Sequence, residues 1–132
     1  MQITKQADYA VRAVQYLSEL EEGKLASTSR IAADRKIPSS FLAKIIAQLS
    51  VAGIVQTSRG AKGGVRLARE PQEISLLDVI EAIDGPLALN SCVHQHPNCE
   101  LEDCAVRPVW SEIQEELVAK LSASTFDQFK NK

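Results

Sequence analysis

Apolar side chains at Ile3, Ala7, Ala10, Val11, Val14, Leu17 and Leu20 recur at three- and four-residue spacing. This period predicts an amphipathic helix, with Thr4 as its N-cap and Gly23 as its stop. A short helix is expected over residues 29–36 with Ile31 and Ala32 facing inward. It must end at Ile37-Pro38, because a residue before proline is driven out of the helical region. Phe41, Leu42, Ile45, Ile46 and Leu49 then define a third helix, capped by Ser39 or Ser40 and stopped by Gly53. The order is helix, tight turn, helix.

Beyond Gly53 the period changes. Residues 54–59 and 65–67 read as two short strands around Gly60-Ala61-Lys62-Gly63-Gly64, a turn able to adopt positive φ. Ser75 caps a predicted helix through Leu76, Leu77, Val79, Ile80 and Ile83, and Gly85-Pro86 closes it. Residues 86–106 carry no useful periodicity. Val106, Val109, Trp110, Ile113, Leu117 and Leu121 form one stripe of a last long helix that could pair with a second copy of itself. A short terminal helix is expected over 125–129. The fold class is mainly α with a small β-hairpin. It divides into a helix–turn–helix unit with a wing over 1–85 (wing about 54–68), a cysteine-bearing loop over 86–106, and a dimerisation helix with its tail over 107–132.

The chain has 132 residues, 45% of them apolar. A domain of that length buries roughly 68% of its unfolded surface and needs no disulfide or metal merely to fold. No segment approaches the roughly 20 apolar residues of a membrane span, and the first residues lack the basic and apolar regions of a signal peptide. The expectation is a cytoplasmic protein with reduced thiols. Net charge is −2, but residues 24–69 hold nine basic side chains (Lys24, Arg30, Arg35, Lys36, Lys44, Arg59, Lys62, Arg66, Arg69) against one acid, Asp34. A local basic field on an acidic body is the footprint of a nucleic-acid site, the alternative being a solvated basic face.

In a helix–turn–helix the second helix enters the major groove by its N-terminal end, here Ser39, Ser40, Phe41, Ala43 and Lys44. Ser39 and Ser40 can bond phosphate or base, or serve only as caps, while Lys44 can reach a phosphate or a guanine edge. The wing places Arg59 and Lys62 on a turn whose Gly60, Gly63 and Gly64 hold nothing bulky between backbone and duplex. Arg59 suits a narrow minor groove and Lys62 a phosphate. A nucleotide-binding loop would need GKS or GKT at a helix start, which is missing. No nucleophile and base are arranged for catalysis, so an enzyme is not expected.

Cys92, Cys99 and Cys104 form a C-x6-C-x4-C pattern, and no other cysteine occurs in the chain. Three thiolates this close suit an iron–sulfur cluster or zinc, or a regulatory thiol–disulfide pair; spacing alone does not choose among them.

The order of parts resembles the IscR/NsrR-type family of bacterial winged helix–turn–helix transcription regulators over nearly the whole chain. The resemblance rests on Asp8-Tyr9-Ala10, Ile31-Ala32, Ile37-Pro38-Ser39-Ser40-Phe41-Leu42, Ser58-Arg59-Gly60-Ala61-Lys62-Gly63-Gly64, Ile74-Ser75-Leu76-Leu77-Asp78-Val79-Ile80 and the clustered cysteines before Trp110. It implies a homodimer joined by the long C-terminal helices and bound to a roughly palindromic double-stranded DNA operator, whose half-sites dimer geometry puts roughly 34 Å apart. It also implies an iron–sulfur cluster, 2Fe-2S or 4Fe-4S, on Cys92, Cys99 and Cys104, with zinc or no metal as the alternatives. Some members take a histidine three residues after the last cysteine as fourth ligand, a position held here by Arg107. Others take an acid near the N-terminus from the partner subunit, and Asp8 matches that position. His94 and His96 are rivals for the same role. The implied function is a regulator whose operator affinity follows the cluster. Its alternative is the same regulator without one, controlled by thiol oxidation, structural zinc or a protein partner.

Overall fold

A computed structural model describes residues 2–93, 101 and 103–130. Helix α1 (Lys5–Ser18) starts at Thr4, whose hydroxyl accepts the Ala7 N–H at 3.1 Å. Ala7, Ala10 and Ala13 are fully buried, and these small side chains let α1 lie close to two later helices. Ile3, expected on the buried stripe, is 47% exposed because it precedes the first turn. Ser27 caps α2 (Thr28–Arg35), one residue earlier than the spacing predicts, and Lys36 closes it in the left-handed region at φ +55°.

Helix α3 (Ser39–Val51) corrects the expectation that Ser39 or Ser40 caps it. Pro38 is the N-cap, its carbonyl accepting the N–H groups of Phe41 and Leu42, and no side chain caps the helix. Both serines are therefore already helical. Leu42, Ile45, Ile46 and Leu49 form the buried face of α3.

The strands β1 (Val55–Ser58) and β2 (Gly64–Leu67) pair antiparallel, Val55 opposite Leu67 and Ser58 opposite Gly64. Val65 also bridges Ala26 through two backbone hydrogen bonds of 3.0 and 2.8 Å, which fastens the hairpin to the loop before α2. Of the three wing glycines only Gly60 has positive φ, +102°. Gly63 and Gly64 are required by crowding instead. A Cβ there would stand 2.2 Å from the Ser58 carbonyl oxygen and 2.7 Å from that of Ala26, respectively.

Helix α4 (Leu76–Asp84) begins with a reciprocal cap. The Ser75 hydroxyl accepts the Asp78 N–H, and the Asp78 carboxylate accepts the Ser75 N–H. Gly85, at φ +82°, ends the helix. Helix α5 (Arg107–Ala123) lies against α4 and the 3-10 turn Ser91–Val93, yet none of its residues is buried. The chain then returns to the first half. Leu76 donates to the Ser124 carbonyl at 2.9 Å, Phe126 donates to that of Ile74 at 3.0 Å, and the Phe126 ring is 1% exposed inside the core. The expected terminal helix is the 3-10 turn Phe126–Gln128, and what matters in it is a core aromatic that no periodicity announces. Among the described residues no helix is long and apolar enough to cross a membrane.

Candidate nucleic-acid interface and thiol segment

Ser39 and Ser40 occupy the first turn of α3, both exposed, and neither hydroxyl is bonded to another described residue. With capping done by Pro38, the hydroxyls are left for solvent or a ligand. Lys44 is exposed one turn later, on the row of Ser40. Phe41, 43% exposed, meets the Tyr9 ring at 6.2 Å, and Tyr9 lies between Lys5 at 5.2 Å and the Arg12 guanidinium at 5.3 Å. Cations over an aromatic face are attracted by the ring's quadrupole, so this arrangement fixes the start of α3 against α1 while keeping positive charge beside it.

The basic window divides in two. Arg30 pairs with Asp34 at 3.6 Å, Arg35 pairs with Glu19 at 3.6 Å, and Arg66 donates across the hairpin to Gln56 at 3.2 Å. These three are occupied within the fold. The other six form no ion pair with another described residue, and of these Lys44, Arg59 and Lys62 are exposed on α3 and the hairpin turn. Arg59 and Lys62 sit on the hairpin turn, closed by a 2.9 Å bond from the Gly63 N–H to the Gly60 carbonyl. Gly60 has open space around it, whereas Gly63 and Gly64 have an internal reason to be glycine whatever lies outside. Tyr16 donates to Asp34 at 3.0 Å beneath the Arg35 guanidinium. Burial first, and then the Asp34 carboxylate, raise its phenol above the ordinary tyrosine value.

Cys92 lies in the 3-10 turn Ser91–Val93 against α5. Cys104 lies just before α5, and its carbonyl accepts the Arg107 N–H at 3.3 Å. Both are half-buried free thiols. Cys99, His94 and His96 lie outside the described residues, among which no group of three metal-ligating side chains is gathered. Asp8, half-exposed on the first turn of α1, is paired with Arg12 at 2.8 Å, and Arg12 also donates to the Arg35 carbonyl.

Sequence reasoning missed the fastening of the thiol segment. Gln114 on α5 accepts the Leu89 N–H and donates to the Leu87 carbonyl, both at 2.7 Å, while Glu81 on α4 accepts the Leu87 N–H at 2.8 Å. A glutamine beside an apolar stripe reads as solvated, and nothing in its spacing separates a clamp from a surface residue.

Two helices joined by a tight turn, a wing carrying unpaired cations and a recognition helix with an exposed first turn together define a winged helix–turn–helix DNA-binding protein. The Rrf2 family model, described as an iron-dependent transcriptional regulator, matches residues 3–132. This chain belongs to that family and is a DNA-binding transcriptional regulator. It is 34% identical over 131 residues to a Mycobacterium tuberculosis protein named as an HTH-type transcriptional regulator, covering 95% of this chain and 78% of that one. Among solved structures it is similar to CymR, the global cysteine regulator of B. subtilis. The TM-score is 0.82 at 26% identity, over 96% of this chain and 94% of that one. It is also similar to IscR of T. potens, with a TM-score of 0.78 at 25% identity, over 96% and 84% of the two chains. The relatives are named as regulators, and the chain is not an enzyme.

Proposed function

We propose that two copies of this chain form a cytoplasmic regulator that binds a roughly palindromic operator and whose affinity follows the state of Cys92, Cys99 and Cys104. The observation that carries this reading is the position of Cys92 and Cys104 at the two ends of the segment leading into α5, a helix without one buried residue. Helices within proteins owe most of their stability to tertiary packing. Val106 at the N-cap of α5 and Val109 and Ile113 on the helix are 50%, 52% and 39% exposed, an apolar stripe that a second copy would cover.

Three soft thiolates within thirteen residues fit an iron–sulfur cluster, and Asp8 of the second copy is the proposed oxygen ligand. A cluster bound there supplies iron that exchanges electrons and small ligands. The protein's own contribution lies on α1. Asp8 holds Arg12, which grips the last carbonyl of α2 and stacks on Tyr9, and Tyr9 meets Phe41 in the first turn of α3. Whatever takes Asp8 from Arg12 therefore alters the support of the recognition helix. A coupling of about 1–3 kcal/mol would change operator occupancy roughly 5- to 150-fold.

In the wing, Arg59 and Lys62 contact the minor groove and a phosphate, with Gly60, Gly63 and Gly64 keeping the turn narrow; Ser39, Ser40 and Lys44 face the major groove. A second reading keeps all of this without a metal. It is favoured by the similarity to CymR, named as a global cysteine regulator, and it makes thiol oxidation the signal.

The deciding experiment is the absorption spectrum with iron, sulfide and zinc content of protein purified without oxygen, beside Cys92→Ala. Brown protein with iron and labile sulfide, lost in the variant, supports the first reading. Colourless protein whose operator affinity changes on thiol oxidation supports the second. Equal affinity in every thiol and metal state would sink both.

A further inference from the structure

The first turn of α3 presents two different rows to a duplex. Ser40 and Lys44, four residues apart, form one row with a hydroxyl and a cation. Ser39 and Ala43 form the other, and beside it the surface dips into a notch of about 100 Å³ lined by Thr28 and Ser29 of α2 and by Ser39, Leu42 and Ala43 of α3. Leu42, 1% exposed, belongs to the floor, while Thr28, Ser29, Ser39 and Ala43 are exposed. No charged side chain lines the notch.

We propose that this notch reads the C5-methyl group of a thymine in each half-site, with Ala43 as the specificity-determining residue. The notch is continuous with the reading face, since Ser39 belongs to both. Thymine alone presents a methyl group in the major groove, beside its O4 acceptor; adenine, guanine and cytosine present hydrogen-bonding atoms there, with only a bare C5–H on cytosine. Those atoms would lose water against Leu42 and the Ala43 methyl without gaining a partner, which is unfavourable. A methyl group loses nothing by the same move and gains the burial of its surface. Size agrees: a water-sized group occupies about 30 Å³, so the notch takes a methyl together with the adjoining base edge. A DNA phosphate is the poorer occupant, because it would meet hydroxyls only at the rim and no cation.

The proposal rests on the reading that the first turn of α3 faces the major groove and is independent of the cysteines. The probe is a duplex enriched by the full-length protein from a random-sequence pool, in which each thymine is replaced singly by deoxyuridine. That replacement removes the C5-methyl and leaves every hydrogen-bonding atom in place. At one thymine per half-site, deoxyuridine is expected to weaken binding about fourfold, the worth of burying one methyl group. In Ala43→Gly and Ala43→Ser the same thymine and deoxyuridine duplexes should bind within about twofold of each other, with an unchanged dependence of affinity on salt, because phosphate contacts are untouched. Thermal melting of both variants, and the conservative serine substitution in particular, separates loss of the reader from loss of the helix. The notch is not the reader if no thymine is sensitive to deoxyuridine, or if a sensitive thymine stays so in both variants. Failure to enrich any duplex would overturn sequence-specific reading as a whole, and the notch with it.

Discussion

The winged half and the α5 half of this chain are built on opposite plans. In the first, α1, α2, α3, the hairpin and α4 share one core with Phe126, and the helix ends are closed by Thr4, Ser27, Pro38 and Ser75. In the second, a 17-residue helix has no fully buried residue and leaves Val109 and Ile113 of its apolar stripe exposed. One half is complete within a single chain, and the other leaves an apolar edge for the second copy proposed above. The halves are joined where α5 packs on α4 and where the tail after α5 returns Phe126 to the core.

The contrast breaks most severely at Phe126. Phe126→Ala should cost about 3–5 kcal/mol in chemical unfolding and lower operator affinity, because the winged half would lose a central side chain supplied from beyond α5. Gly64→Ala drives a Cβ onto the Ala26 carbonyl oxygen. It should cost about 1–3 kcal/mol and weaken DNA binding by displacing the wing. Ser75→Ala removes half of the reciprocal cap of α4 and should lower stability by about 1 kcal/mol, with little effect on DNA affinity when the protein is folded.

Val109→Glu with Ile113→Glu sharpens the comparison from the other side. Unfolding of the single chain should move by less than about 0.5 kcal/mol, whereas sedimentation should show the proposed two-copy assembly reduced to single chains. The smallest effect is alkaline. Because the fold raises the Tyr16 phenol, the proton is held more tightly in the folded state. This contribution is full below the ordinary tyrosine value of about 10 and fades as pH climbs through the raised value. Tyr16→Phe should remove that slope from the stability curve.

The winged half was largely legible because its helices are amphipathic and its stops are glycine and proline. The exception at Ser39 and Ser40 is instructive. Serine before an apolar run signals a cap, but Pro38 already has the extended dihedrals an N-cap needs, so the helix begins one residue sooner. Phe126 was illegible for another reason: a lone aromatic beyond the last stripe belongs to no period, and its burial depends on a chain reversal at Ser124. Gln114 was hidden because its partners are backbone groups, which carry no residue-specific signal. The cysteine pattern was plain in the sequence, while the proposed role of Asp8 depends on a second copy that no periodicity positions.

The bond pair between Ala26 and Val65 has a consequence for the operator. It ties the wing to the loop that leads into the helix–turn–helix, so the distance between the tip at Arg59 and the start of α3 is set by backbone rather than by a hinge. In the proposed operator complex the reader then acts as a caliper of fixed gauge. A half-site whose groove geometry departs from that gauge must be bent or squeezed to fit, and the work of deforming it depends on its base steps. Base pairs that no side chain touches thereby enter the choice of operator through their stiffness.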